Sequence, residues 1–498
     1  MPEERRPHAG VPAARLAALS VVLLVGAALR VAPLTDNRFH PDEALFTTLA
    51  RLIADGSDPL LASTSLLVDK PPLFYYTLAA GVSLSWGSEV TARLPGLFAG
   101  VISIALTARL ARLLWRSNLA ALAASLFAAL SPFAILFSPT AFADPLLIVW
   151  WLAALTAAAG RRPLWAGVFS ACALLTKQNA LFLLPLVPAV GLVQAAGSVQ
   201  PLAWIGPFGV GLALPLVAAP IWDVARGEAV SFWLAGINAN NPGRLARSTE
   251  VWPRAAAWIG WLRYVPGGVL AGAVAAALTA VGLIGRRDPT PAREEAAAHL
   301  IAAFGLAYLA LHWLVAFPLF DRYLLPVAWI AALLVGHGTD RLAARASEAG
   351  RPAAGAALAA LIALPMALPA YRAAQSAYPV GGDHGAYDGI DEVAAYLKAR
   401  PEGTVVYTGP LGWTLGCYLY DAYLYLSPIA APGPLMRDLQ AHGGDGSQRY
   451  LVLPADESPI PLIEAVQAAG YQAEVALETR SRAGVHTFTV YRVAAGGR

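Results

Sequence analysis

Residues 15–46 read RLAALSVVLLVGAALRVAPLTDNRFHPDEALF. An apolar run follows a basic start, then a proline introduces two adjacent carboxylates, Asp42 and Glu43. The run approaches the roughly 20 apolar residues that cross a bilayer as a helix. A signal peptide has a similar start, but the apolar stretches that follow favour an uncleaved signal anchor. About eleven such stretches are legible, centred on 16–33, 94–114, 119–137, 145–159, 163–177, 180–197, 201–222, 264–284, 297–317, 323–338 and 354–371.

The whole chain agrees with that start. It has 498 residues, 57% hydrophobic and 13% charged, with a mean hydropathy of +0.55. Such a composition is too apolar for one soluble core and predicts an α-helical polytopic membrane protein. A net charge of +3 gives no reason to invoke nucleic acid. Cys172 and Cys417 read as buried thiols rather than a disulfide.

With the N-terminus in the cytoplasm, Arg5, Arg6, Arg15, Arg109, Arg112, Arg116, Arg161 and Arg162 fall on the inner side. Arg286, Arg287, Arg293, Arg341, Arg345 and Arg351 join them, in agreement with the positive-inside rule. The connection near 197–200 has no basic residue, so the span count stays open. An odd count puts HPDEALF, VDKPPLFYY, FADPL, TKQNA and FDRYLLP, and everything after about residue 372, outside the cytoplasm.

Two domains are expected: a transmembrane unit over 1–371 with a long first outer loop at 34–93, and a small extracytoplasmic α/β domain over 372–498. In the loop, Leu45, Leu49, Leu52 and Ile53 recur at helical spacing, so 41–55 and the aromatic PPLFYYTLAAGVSLSW read as amphipathic helices along the membrane surface. In the tail, DGIDEVAAYLKAR and PLIEAVQAAGY read as helices, and TVVYTG, RYLVLP, QAEVALE and HTFTVYRV as strands. The tail shows no phosphate loop, serine elbow or metal cluster.

Charges held at the ends of spans are costly and raise a functional hypothesis. Asp42, Glu43, Asp69, Lys70, Asp144, Lys177, Asp321 and Arg322 all lie on the same expected side. Carboxylates beside cations suit the displacement of a lipid phosphate from a sugar: one base removes the acceptor proton and cations receive the leaving group. Simpler readings stand beside this one. Asp42 and Glu43 suit the first turn of a helix behind Pro41, Asp144 an N-terminal cap, and Lys70 and Arg322 membrane-edge anchors. Trp233, Arg244 and Trp252 either belong to an interfacial belt or border a sugar or lipid-phosphate pocket.

Taken in order, HPDEALF, DKPPLFYYTLAAGVSLSWGSEVTARLPGLFAG, SPTAFADPLLIVWWLAAL, ALLTKQNALFLLPLV and FDRYLLPVAWIAALLVG resemble the dolichyl-phosphate-mannose protein mannosyltransferase superfamily. The likeness, over roughly 15–340, is to the bacterial branch that includes the lipid A aminoarabinose transferases. It implies a GT-C type membrane glycosyltransferase that moves a sugar, with inversion, from a polyprenyl-phosphate donor to a glycan, lipid or protein acceptor. It further implies that Asp42 is the catalytic carboxylate with Glu43 its partner, and that Asp144 orients the acceptor or supports Asp42. Lys70, Arg322 and Tyr323 would bind the donor phosphate, and Asp69 would help to hold a divalent metal if one is used. No cofactor is otherwise expected. The main rival is a polytopic secondary transporter, although the midplane sites and paired repeats of that class are not evident.

Overall fold

The computed structural model describes residues 13–85, 88–196, 200–228, 230–240, 243–284, 292–349, 351 and 353–495. Arg5, Arg6, Arg286, Arg287 and residues 197–199 lie outside the described residues, as does the side chain of Arg15.

Helix α1 (Ala13–Val31) ends in a 3-10 turn, and the loop after it carries α2 (Pro41–Ala54) and α3 (Pro72–Val82). There follow α4 (Glu89–Trp115), α5 (Asn118–Leu130), α6 (Pro132–Phe137), α7 (Ala143–Ala159), α8 (Pro163–Thr176), α9 (Ala180–Leu183), α10 (Leu186–Ala195), α11 (Pro201–Leu216) and α12 (Ala218–Arg226). Two more, α13 (Phe232–Asn240) and α14 (Ser248–Leu262), lead to α15 (Val269–Ile284), α16 (Ala292–Leu314), α17 (Leu325–Glu348) and α18 (Ala354–Ala374). Every apolar stretch of the sequence falls on one of these helices or on a pair of them. Proline divides the pairs: α6 starts at Pro132, α10 follows Pro185, and α11 ends just past Pro215. Among the described residues, five helical segments are long and apolar enough to cross a membrane, and five shorter apolar helices accompany them.

Lipid offers no hydrophobic drive between helices, so close contact between backbones has to hold them together. Glycine permits it here. A methyl group on Gly167 of α8 would lie 2.1 Å from the Phe208 carbonyl oxygen of α11, and one on Gly338 of α17 would lie 1.8 Å from that of Leu278 in α15. Arg30, fully buried in α1, donates to the carbonyls of Gly26, Ala128 and Ala129 and to Ser138 Oγ, which pins α1 to the end of α5.

The two loop helices differ from the surface-lying arrangement expected of them. Residues Glu43 to Ala50 of α2 are all buried, because α2 packs between α3 and a helix of the tail, α20 (Gly412–Tyr418). Phe74, Tyr75 and Leu78 of α3 are buried against α2, α4 and α8.

Among the described residues, the tail has five strands, β1 (Val405–Tyr407), β2 (Tyr425–Ser427), β3 (Arg449–Pro454), β4 (Tyr471–Arg480) and β5 (His486–Ala495), in the order β2-β1-β3-β5-β4. β1 pairs in parallel with β2 and β3, while β5 runs antiparallel to β3 and β4. In β3, Tyr450 and Val452 join α19 (Ile390–Lys398) and α20 in one core, whereas Leu451 and Leu453 face α21 (Pro432–His442) and α22 (Ile460–Ala468) in another. Helices on both faces explain why RYLVLP is apolar without alternation. Cys172 and Cys417 are free thiols.

Candidate active site

Pro41 opens α2, and His40 caps it: His40 Nδ1 accepts from the Asp42 amide at 3.2 Å while Glu43 Oε2 accepts from the His40 amide at 3.1 Å. Burial lowers the imidazole's pKa, in keeping with an unprotonated Nδ1 that accepts. This reciprocal cap sends the two neighbouring carboxylates in different directions.

Glu43 points inward and is fully buried. Arg93 of α4 reaches it through Nε and Nη2 at 3.2 and 3.3 Å, and the Ala141 amide adds a bond of 2.8 Å. Arg93 also donates to the carbonyls of Leu34, Asn37 and Arg38, so one guanidinium ties the start of α2 to α4 and to the end of the first helix. Asp42 turns the other way, part exposed, and its Oδ2 accepts from Arg322 Nη2 at 3.0 Å. Burial pushes the Asp42 carboxyl up, but the charges of Arg322 and Lys70 and the Arg322 hydrogen bond outweigh that and leave it below the usual carboxylate value.

Beside this pair lies a cavity of about 350 Å³. Lys70, Asp144, Lys177, Arg322 and Tyr323 line its polar part, with Phe46, Phe142, Phe182, Trp233 and Phe317 among its apolar walls. Lys177 Nζ bonds Asp144 Oδ1 at 2.7 Å, and both side chains are buried. The same ammonium sits 5.2 Å from the centre of the Tyr323 ring. Lys70 pairs with Asp69 and lies 5.3 Å from the Phe46 ring centre. Arg322 is stacked over Phe142 and Phe320, at 4.9 and 4.2 Å, which fixes its plane.

The five sequence segments therefore meet at one place. Asp42, Lys70, Asp144, Lys177 and Arg322 come from α2, the turn before α3, the start of α7, the end of α8 and the 3-10 turn before α17. Asp42 adjoins the cavity through Arg322, and Glu43 stands behind it in the protein interior. Of the aromatic loop residues, Trp233 lines the cavity, while Trp252 is exposed and Arg244 is held by Glu250 on the surface. Asp69 Oδ1 is buried with no hydrogen-bond partner. Among the described residues no group of three or more His, Cys, Asp or Glu side chains is arranged to hold a metal ion.

Sequence reasoning missed Arg93 as a member of the constellation and found no role for Lys177. Glu43 and Arg93 lie 50 positions apart, and Asp144 and Lys177 33 apart at the near ends of two consecutive helices, and no local pattern announces either pairing.

Residues 69–222 match a family model described as dolichyl-phosphate-mannose-protein mannosyltransferase. Compared by sequence with curated proteins, the chain matches none. Among solved structures, ArnT from Cupriavidus metallidurans in the apo state is similar with a TM-score of 0.67 at 18% identity, over 97% of this chain and 98% of that one. ArnT bound to undecaprenyl phosphate gives 0.67 at 16% identity, over 97% and 99%. The oligosaccharyltransferase AglB from Archaeoglobus fulgidus, in complex with an inhibitory peptide and a dolichol-phosphate, gives 0.51 at 14% identity, over 96% and 74%. The likeness in fold extends through the tail. Taken together, the family match and the shared fold indicate a membrane glycosyltransferase of the GT-C, mannosyltransferase-like kind.

Proposed function

We propose that the chain transfers a sugar from a polyprenyl-phosphate donor to an extracytoplasmic acceptor, with inversion at the anomeric carbon. What supports this reading most is the convergence of Asp42, Lys70, Asp144, Lys177 and Arg322, drawn from five separate segments, around one cavity with apolar walls. In such a pocket a prenyl chain finds aromatic surface while its phosphate finds cations.

The chemistry balances with one base. The acceptor hydroxyl or amine attacks the anomeric carbon, the bond from that carbon to the phosphate oxygen breaks, and its electrons leave with the lipid phosphate. Lys70 and Arg322 receive the charge that builds on the leaving oxygen, with Tyr323 at the cavity wall. Asp42 takes the proton as the attacking atom grows acidic. Its lowered pKa keeps it ionised in the resting state. The Lys177–Asp144 pair adds a further cation that the phosphate can recruit, and leaves Asp144 to accept from the incoming group. Glu43 has every near partner occupied, so its part is to position α2 through Arg93.

The test uses purified protein in lipid nanodiscs with a polyprenyl-phosphate-linked sugar and a panel of acceptors. Release of polyprenyl phosphate that depends on protein is expected. It should collapse in Asp42→Asn, which keeps the shape and removes the base. Counterflow of an unchanged substrate without release would overturn the reading in favour of transport. Sidedness is tested by labelling a cysteine introduced at residue 245, which is exposed, from each face of sealed vesicles; label from the cytoplasmic face alone would overturn the expected orientation.

A further inference from the structure

A second cavity opens in the tail, on the far side of the α2 N-terminus, with a volume of about 590 Å³. It lies where β3 ends at Pro454 and where the turn after β1 carries Pro410 and Leu411. That is the carboxyl end of the parallel strands, the edge at which open α/β sheets form their binding crevices. Asp383, Asp456 and Glu457 line it, with His384 and His486, and no lysine or arginine belongs to the lining among the described residues.

Asp383 is the distinctive member. Its residue is 5% exposed, Oδ2 accepts from the Tyr387 amide at 3.1 Å, and Oδ1 is buried with no hydrogen-bond partner. A carboxylate oxygen left so is costly unless something donates to it. Burial, with Glu43 nearby, accordingly pushes the Asp383 carboxyl up to about 6, despite the Tyr387 and Gly385 amides and the charge of Arg93.

The crevice also adjoins the reaction centre. The segment that carries Asp383 is fastened to it: the Gly381 amide donates to Asp321 Oδ2 at 3.1 Å, next to Arg322, and a methyl group on Gly382 would lie 3.3 Å from Asn37 Nδ2. His384 is within electrostatic reach of His40 and Glu43, and Tyr387 of Asp42. His40 in turn touches Phe142, a wall of the first cavity, with ring centres 5.5 Å apart. Asp42 is thus bonded to Arg322, a wall of the first cavity, and within electrostatic reach of Tyr387, which lines the crevice.

We propose that the tail crevice is the acceptor subsite, and that it takes a sugar-like group offering hydroxyl or ammonium donors to Asp383, with no phosphate at that end. A phosphate would meet Asp383, Asp456 and Glu457, and the nearby cation, Arg482, is already held by Asp388 at 3.1 Å, whereas a donor would satisfy the orphaned oxygen. The inference rests on the transferase reading, which it deepens by naming the acceptor's chemistry.

Two measurements on the full chain in nanodiscs separate the two ideas. Direct binding is measured with three soluble probes: a short alkyl glucoside, its 2-amino analogue and its 6-phosphate. The neutral and amino probes are expected to bind and the phosphate to fail. Asp383→Asn should weaken them about tenfold or more, as expected for a lost charge-assisted bond. Kinetically, that variant should raise the acceptor KM by a similar factor with the donor KM changed less than about twofold. A charge reversal at the rim, Asp456→Lys, guards against misfolding and should shift preference toward the phosphate probe. The proposal is overturned if the phosphate probe binds best, if no probe binds, or if Asp383→Asn changes neither binding nor acceptor KM. Probe binding without any polyprenyl phosphate release would instead count against the transferase reading alone.

Discussion

The two cavities that flank the start of α2 handle charge in opposite ways. At the bundle cavity three carboxylates are matched by cations, Asp42 with Arg322, Asp69 with Lys70 and Asp144 with Lys177, while Asp321 is held by the Arg322 and Gly381 amides. In the tail crevice Asp383, Asp456 and Glu457 face a lining with no lysine or arginine among the described residues. The difference teaches how to read a site that holds no ligand. Matched pairs keep cations in place, ready to be shared with an incoming anion, and unmatched acids await a donor.

The sharpest attempt to break the comparison removes the base. Asp42→Asn should lower turnover by about 10²- to 10⁴-fold with normal expression and elution. An equal fall in kcat from Asp383→Asn would erase the distinction between the two cavities. Next in size is Arg93→Leu, which leaves Glu43 buried and unpaired. It should cost about 3–5 kcal/mol, seen as a large drop in the thermal midpoint. The Asp144→Leu and Lys177→Met pair sharpens the point. Either change alone should destabilise, while the double variant should return to within about 1 kcal/mol of the parent yet keep a raised donor KM.

Titration separates the cavities more gently. Asp42 has a lowered pKa, so the ionised base is present above it and is lost only as pH falls through it; kcat should hold down to about pH 5. Asp383 has a raised pKa, so its charge fades as pH falls through about 6, and acceptor KM should rise there first. Loss of kcat and acceptor affinity at one common pH would break the contrast. The smallest effect is expected at Trp252→Ser on the exposed face of α14, within about 0.5 kcal/mol of stability.

Much of this was legible in the residues, for reasons that can be stated. Long apolar runs announce helices by themselves, and charges at their ends, as at Lys70, Asp144 and Arg322, stand out because lipid penalises them. Partners were harder. Arg93 lies near the start of α4, and nothing in its neighbourhood singles it out until Glu43 is seen against it. Helix α2 read as amphipathic because its second cover, α20, arrives late: Arg51 bonds the Cys417 carbonyl across 366 positions. In the tail, the four strands and two helices with clear periodicity were found. β2 is three residues long and mostly unburied, and α20 has a glycine at its first position and another at its fifth, so neither carries a local signal. Asp383 sits in a glycine-flanked turn, and its orphaned oxygen exists only in three dimensions.

The clasp between tail and loop has a consequence for modular engineering. The Phe39 amide donates to Tyr418 Oη at 3.0 Å, Tyr418 bonds Glu89, and Tyr420 reaches Asp55 at 2.6 Å. Residues on either side of α2, at the head of α4 and at the end of α20 thus form one mechanical joint. A chimera that borrows only the C-terminal module from a relative would inherit half a hinge; a working exchange has to move both halves as one cassette.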